Sequence, residues 1–523
     1  MRPRLIALLA AVLTLTGSAL AAQASDPPEQ LLLDGQSQQL TATPAPDLPA
    51  GKPCTSTVIS HARFGVDPLG YGHAAVGRYT PTCRGPWGAV TMTLTGAVKG
   101  TQFDRIAYVF IGRAEVLRTS TPEPPATWSV VKDLSAYSSL LARPQPIAMR
   151  LDNVVNGTYS GIPDITVQLS FYKPDAKHPA LSSRTQVVGL GNGGHEYGEP
   201  AYLSTPGQVD SHSVRFPVDL TRLQADVFTS GHGGCEEFWW AGACSDRLYR
   251  EVQVRVDGRL AGIAPIYPVI FTGGGSPYAW RPMPAIRALD LRAYRMDLTP
   301  FVGMLTDGRA HSIGVKVAES RKDDPNDVWI TSTNLIEERA GDGRRTTGRT
   351  TAYFENPLNV SGTSLGGGAA ADQGGSHQLD ITGTVTHGTT KTWHTVQDVT
   401  FLGSGGVAAG VDTWVWTSTA TANGRGLRAA YKYTVASDLF TTDHLTDELT
   451  VESVSGSVVT QRYHYLDEMQ ALATYIATGY GSRERVRVLQ GTTCVYDREL
   501  DAVHMNLVAD RRGDCGDLPT GKP

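Results

Sequence analysis

The sequence predicts an all-β chain of three units, on three observations. Glycine (56) and proline (31) together make up about 17% of the 523 residues against an average near 12%, and both penalise helix interiors. Short β-branched or aromatic runs recur about every ten residues, bounded by Gly, Pro, Asn or Asp. Helical periodicity surfaces only over 467–473, where the spacing predicts a single helical turn. A chain this long also exceeds what one hydrophobic core serves.

At the N-terminus, Arg2 and Arg4, an apolar run from Leu5 to Leu15 and the small residues Ala19, Ala21, Ala22 and Ala24 read as an export signal over 1–24, with cleavage after Ala21 or Ala24. Residues 25–50 are proline-rich and aperiodic, and are expected to form a loosely held leader. A first β-sandwich is expected over 51–175, from runs such as Ala89–Thr95, Arg105–Ile111 and Asp164–Tyr172. A second is expected over 176–340, with strands at Arg250–Val256, Ile266–Phe271 and Ala310–Val317 and turns at Asp257-Gly258 and Asp307-Gly308. A C-terminal β domain over 341–523 carries Asp412–Thr417, Arg428–Thr434 and Gln461–Leu466. No chemistry is legible in it; it either widens a binding cleft or braces the other two units.

Composition removes whole classes of function. A formal charge of −5 with no long basic run lacks the footprint of a nucleic-acid partner. After the signal, no apolar run reaches the roughly 20 residues a membrane crossing needs, so no membrane is expected. Six cysteines in an exported chain suggest disulfides, with sequential pairing (Cys54 with Cys83, Cys235 with Cys244, Cys494 with Cys515) preferred among fifteen connectivities. Oxidised sulfur excludes a thiol nucleophile, and no C-x-x-C spacing points to zinc; no metal is expected.

Several motifs mislead. Gly189-Leu-Gly-Asn-Gly-Gly194 has dinucleotide-loop spacing, but His195-Glu-Tyr-Gly-Glu-Pro200 directly after it cannot open a helix; Gly362-Thr-Ser-Leu-Gly366 has the serine-hydrolase spacing inside a glycine-rich loop. Asp323-Asp-Pro-Asn-Asp327 reads as a solvated turn rather than a calcium loop.

Two segments concentrate carboxylate, aromatic and turn residues: Gln102-Phe-Asp-Arg105 and Gly231-His-Gly-Gly-Cys-Glu-Glu-Phe-Trp-Trp240. Asp104 and Arg105 precede a strongly apolar strand, where charge is costly unless it sits at the strand's open end or meets a ligand. Glu236 and Glu237 face opposite sides of an extended chain, so at most one enters a given site. A cleft between two domains would join the segments.

The segments Thr101-Gln-Phe-Asp-Arg-Ile106, Thr121-Pro-Glu-Pro124, Cys235-Glu-Glu-Phe-Trp-Trp240, Val269-Ile-Phe-Thr-Gly-Gly274 and Trp280-Arg-Pro282 resemble the acid-active peptide N-glycanase A family, over about Cys54 to Glu338. A weaker likeness runs to the bacterial peptide N-glycanase F type. The resemblance implies two jelly-roll domains packed side by side, and removal of glycans from N-glycosylated peptides or proteins by cleaving the amide between asparagine and the first N-acetylglucosamine. It implies Asp104 and Glu237 as catalytic, and Arg105, Asp152, Glu236 and Arg281 as substrate-binding. Trp239, Trp240 and Trp280 either stack on the chitobiose core or pack in the interior. No cofactor is needed, and a monomer is expected. Two rivals are a secreted lectin-like binding protein and a glycoside hydrolase cutting between sugars.

Overall fold

The computed structural model describes residues 37–123, 126–232, 249–268, 283–318, 328–364, 371–405, 410–438, 442–473, 480–503 and 506–516. Within them the chain is almost entirely β, in five sheets. No described helix is long and apolar enough to cross a membrane.

The first unit is a sandwich. One sheet orders the strands Ser37–Gln38, Ala126–Asp133, Ala89–Val98, Asp164–Tyr172 and Cys54–Arg63; the other orders Ala74–Tyr79, Gln145–Leu151, Ile106–Ile111 and Ala114–Ser120. Val90, Met92 and Leu94 from the first meet Val109, Ile147 and Met149 from the second in one core. All six residues of Ile106–Ile111 are buried, because the strand is covered on both faces. Ala107, Val109 and Ile111 enter the sandwich core, while Ile106, Tyr108 and Phe110 meet Ile330 of the second unit.

The second unit pairs Thr185–Gly189, Val328–Arg339, Leu220–His232 and Tyr294–Asp297, with Ala201–Leu203 added on Val328–Arg339, against a sheet of Asp210–Val214, His311–Ala318, Glu251–Val256 and Arg259–Pro265. Asp257 (φ +50°) and Gly258 (φ +80°) make the tight hairpin their sequence predicts. On Val328–Arg339, Trp329 and Leu335 enter the unit's own core, whereas Ile330 and Ile336 face the first unit. The strand predicted over Ile266–Phe271 does not form in its described part: Pro268 has no N–H to donate, and the Tyr267 N–H goes to the Tyr294 hydroxyl at 2.9 Å instead of to a ladder.

The third unit is a ten-stranded antiparallel meander in sequential order, from Thr347–Ser364 to Asn506–Arg512. The helical turn expected at 467–473 is instead strand, within Val458–Ala473. Tyr465, Asp467 and Met469 are buried while Leu466 and Glu468 are half-buried, a period of two, and pairing on both sides overrides the local helical preference. Leu379, Phe401, Trp414 and Tyr433 complete the core begun by the second unit. The sheet approaches closely at glycine: a Cβ on Gly383 would lie 2.2 Å from the Pro300 carbonyl oxygen.

Polar contacts tie the units. Arg287 (2.6 Å) and Arg292 (3.2 Å) from the second unit meet Asp447 of the third, and His377 of the third meets Glu251 of the second at 2.9 Å. The proline-rich stretch, expected to be loose, is held over its described part. Ser37–Gln38 pairs with Ala126–Asp133, the Ala42 N–H donates to Glu484 at 2.7 Å, and the Tyr496 hydroxyl donates to the Ala42 carbonyl at 2.5 Å. Low hydrophobicity did not keep this arm off the protein, because its backbone groups find partners on the first and third units.

Cys54 pairs with Cys83 and Cys494 with Cys515, each with Cα atoms 5.7 Å apart, as sequential pairing predicts. Cys235 and Cys244 lie outside the described residues, as does 323–327.

Candidate active site at the junction of the two sandwiches

Gln102 organises the first segment. Buried at 5% exposure, it donates from Nε2 to the carbonyls of Val154 (3.0 Å) and Gly161 (3.2 Å). Its Oε1 accepts from the Phe103 N–H at 3.0 Å and from Arg105 Nε (3.2 Å) and Nη2 (2.7 Å). One buried amide thus fixes the loop on one side and the arginine fork on the other. The Arg105 guanidinium also lies 5.8 Å from the Phe103 ring and 5.5 Å from that of Tyr159. Its backbone exchanges hydrogen bonds with Thr121, at 2.8 Å to the hydroxyl and 2.9 Å from the N–H. Asp104 and Arg105 are half-buried just outside the strand Ile106–Ile111, at its open end as the cost of burying charge predicts.

Asp152 follows the strand Gln145–Leu151. Its carboxylate takes a two-pronged bond from Arg150, at 2.9 Å to each oxygen, and the Gly72 N–H at 3.2 Å. The Arg150 guanidinium lies 5.8 Å from the ring of Tyr202, which comes from the second unit.

From that unit, Leu220–His232 delivers His232 to the same place. Burial pushes its imidazole below the ordinary range; the charge of Asp152 pulls the other way, and those of Arg118 and Arg105 add to the fall. Asp152 of the first unit and Arg105 beside the strand Ile106–Ile111 both act electrostatically on His232 at the end of the second unit's strand.

A buried ion pair supports it. Arg118 donates from Nε and Nη2 to Glu115 at 2.8 and 2.9 Å, and from Nη1 to Ser230 Oγ at 3.0 Å and the Ile330 carbonyl at 2.6 Å. In a regular strand residues three apart face opposite sides, but the register with Ile106–Ile111 slips at Val116, and this bulge turns Glu115 and Arg118 to one face. Simple alternation could not have found this pair. Nor did sequence reasoning give a role to Gln102 or His232, although both stand inside the two segments it singled out. Among the described residues, no three His, Cys, Asp or Glu side chains converge as metal ligands would.

Of the residues the sequence nominated, Arg105 and Asp152 both act on His232, and Asp104 directly precedes Arg105. Glu236, Glu237, Trp239, Trp240, Trp280 and Arg281 lie outside the described residues.

Residues 43–355 match the family of peptide N-acetyl-beta-D-glucosaminyl asparaginase amidase A. The chain belongs to this family. Peptide-N4-(N-acetyl-beta-glucosaminyl)asparagine amidase A of Prunus dulcis is 29% identical over 350 residues, covering 60% of this chain and 59% of that relative's length. Among solved structures, a recombinant peptide N-glycanase F is similar at 13% identity over 55% of this chain and 96% of that one, with a TM-score of 0.40. A peptide N-glycanase F described as a glycosylasparaginase from Flavobacterium meningosepticum gives 13%, 55%, 96% and 0.37. The family match spans all the described candidate residues and ends soon after the ten-stranded sheet begins.

Proposed function

We propose that this chain hydrolyses the β-amide bond between asparagine and the innermost N-acetylglucosamine of N-glycosylated peptides or proteins, giving aspartate and a glycosylamine that later loses ammonia. One observation carries the reading: within the family match, Asp104 sits beside an arginine whose fork is held by Gln102, at the junction where the second unit delivers His232.

An amide resists water because its carbonyl is a poor electrophile and its nitrogen a poor leaving group. A site must therefore orient a nucleophile, stabilise an oxyanion and supply a proton. Asp104, as carboxylate, orients or deprotonates the water. Arg105, fixed before substrate arrives, meets the developing oxyanion without reorganising. Glu237, assigned by resemblance, assists departure of the nitrogen. The charged start, apolar run and small residues over 1–24 support export of the chain before it acts.

Mass spectrometry of one treated glycopeptide tests the proposal. Conversion of Asn to Asp raises the peptide mass by about one dalton, whereas cleavage between sugars leaves a stub on unchanged Asn. A retained stub, or an uncut glycopeptide, would overturn the assignment.

A further inference from the structure

Where the N-terminal arm meets all three units lies a partly open pocket of about 240 Å³, and none of the candidate active-site residues lines it. Its apolar lining comes from Pro44 and Pro46 of the arm and Ile286 and Leu289 of the second unit; Thr41, Arg287 and Asp290 add polar and charged groups to the wall. Its innermost lining is two carboxyl groups of the third unit, Asp467 and Glu484, each 2% exposed. Strand register puts them together: Glu484 pairs with Met469, so Asp467, two residues along, faces the same side.

The two carboxyls are differently satisfied. Glu484 accepts from Thr41 Oγ1 and the Ala42 N–H, both at 2.7 Å. Asp467 Oδ2 accepts from the Tyr465 hydroxyl at 2.9 Å, but its Oδ1 is buried and accepts no hydrogen bond. The surrounding charges are committed elsewhere: Arg287 to Asp447 at 2.6 Å, Arg498 to Asp510 at 2.9 Å, and Lys132 to Asp290 at 2.6 Å on the wall. A buried carboxyl oxygen with no hydrogen bond is costly, and a charged donor entering the pocket would relieve it.

We propose that this cavity binds a small primary ammonium on a compact apolar body, with Asp467 and Glu484 taking the charged head and the prolines and aliphatic side chains the body. The volume holds about eight water-sized groups at roughly 30 Å³ each, enough for such a molecule. An ammonium brings three donors and a positive charge; an alcohol of the same shape brings one donor and no charge, and an anion is repelled. Burial raises both carboxyl pKa values, and the charge of Glu484 adds to the rise at Asp467, so ammonium binding displaces a proton and tightens as pH rises. This proposal stands apart from the glycan chemistry and does not depend on it.

Calorimetric titration of the full chain with cyclohexylamine and with cyclohexanol, at pH 8 and at pH 5.5, tests it. The amine should bind saturably at pH 8, at least about tenfold tighter than the alcohol, and clearly more weakly at pH 5.5. Asp467→Asn should weaken the amine at least about tenfold. Ala45→Trp, which fills the cavity from the arm and leaves both carboxyls in place, should abolish binding. Equal binding of amine and alcohol, no binding of either (as when the two carboxyls satisfy each other by sharing a proton), or amine binding unchanged in a folded Asp467→Asn or Ala45→Trp protein would each overturn the assignment.

Discussion

Arg118 of the first sandwich donates a 3.0 Å hydrogen bond to Ser230 of the second, two residues before His232. The guanidinium and its partner Glu115 are 1% and 0% exposed, so the pair is taken wholly out of water at the junction that carries the candidate site. Arg118→Met should leave Glu115 buried and unpaired, at a cost of about 3–5 kcal/mol. Replacing both, as Arg118→Met with Glu115→Leu, should recover most of that loss. Urea unfolding measures both, and a single-variant cost below about 1 kcal/mol would mean the pair is not what joins the sandwiches.

The Gln102 clamp makes a kinetic prediction. Gln102→Met removes the acceptor of both Arg105 donors, and glycopeptide turnover should fall at least about tenfold, an increase of roughly 1.4 kcal/mol in the barrier. Asp104→Asn should abolish turnover with folding retained. Wild-type release of glycans by purified Asp104→Asn protein would remove Asp104 from the mechanism.

Docking of the third unit can be probed at one atom. Gly383→Ala places a methyl group 2.2 Å from the Pro300 oxygen, so the contact must open, at about 1–3 kcal/mol. Gly157→Ala, where an added Cβ meets nothing within 4 Å, is the control and should be near neutral. Thermal unfolding of the two variants should separate clearly; matching curves would place the contact elsewhere.

The stability contributed by three buried groups should fall as pH rises above their unfolded values. Burial pushes Glu337 from its ordinary 4.5 up to about 7, and Asp412 from 3.8 up to about 8. Burial alone would lower the His377 imidazole, but its hydrogen bond to Glu251 and that residue's charge raise it overall. In each case the folded chain holds a proton the unfolded chain releases sooner. The stabilisation is full below the unfolded pKa and is lost as pH climbs through the folded one. Glu337→Gln and Asp412→Asn should flatten the curve of melting temperature against pH, in the windows 4.5 to 7 and 3.8 to 8 respectively. An unchanged slope in both would contradict the assignment.

Sequence pattern read the strands well where periodicity, turn chemistry and composition agreed, as at Asp164–Tyr172 and the Asp257-Gly258 hairpin. It misread 467–473, where flanking strands decide the outcome, and Ile266–Phe271, where one proline removed a ladder donor. At the candidate site, resemblance nominated Asp104, Arg105 and Asp152, and the cost of burying charge put the first two at a strand's end, where the structure has them. The support around them was not legible: the Glu115–Arg118 pair depends on a bulge, and the roles of Gln102 and His232 depend on partners distant in the chain.

The second sandwich and the ten-stranded sheet share one continuous apolar interior, from Leu335 and Met296 through Phe401 to Trp414 and Tyr433. Neither can be excised without baring a large oily surface. Cutting the chain near Gly348 should therefore yield an insoluble product rather than a smaller folded protein, and in a calorimeter the two should melt together as one transition.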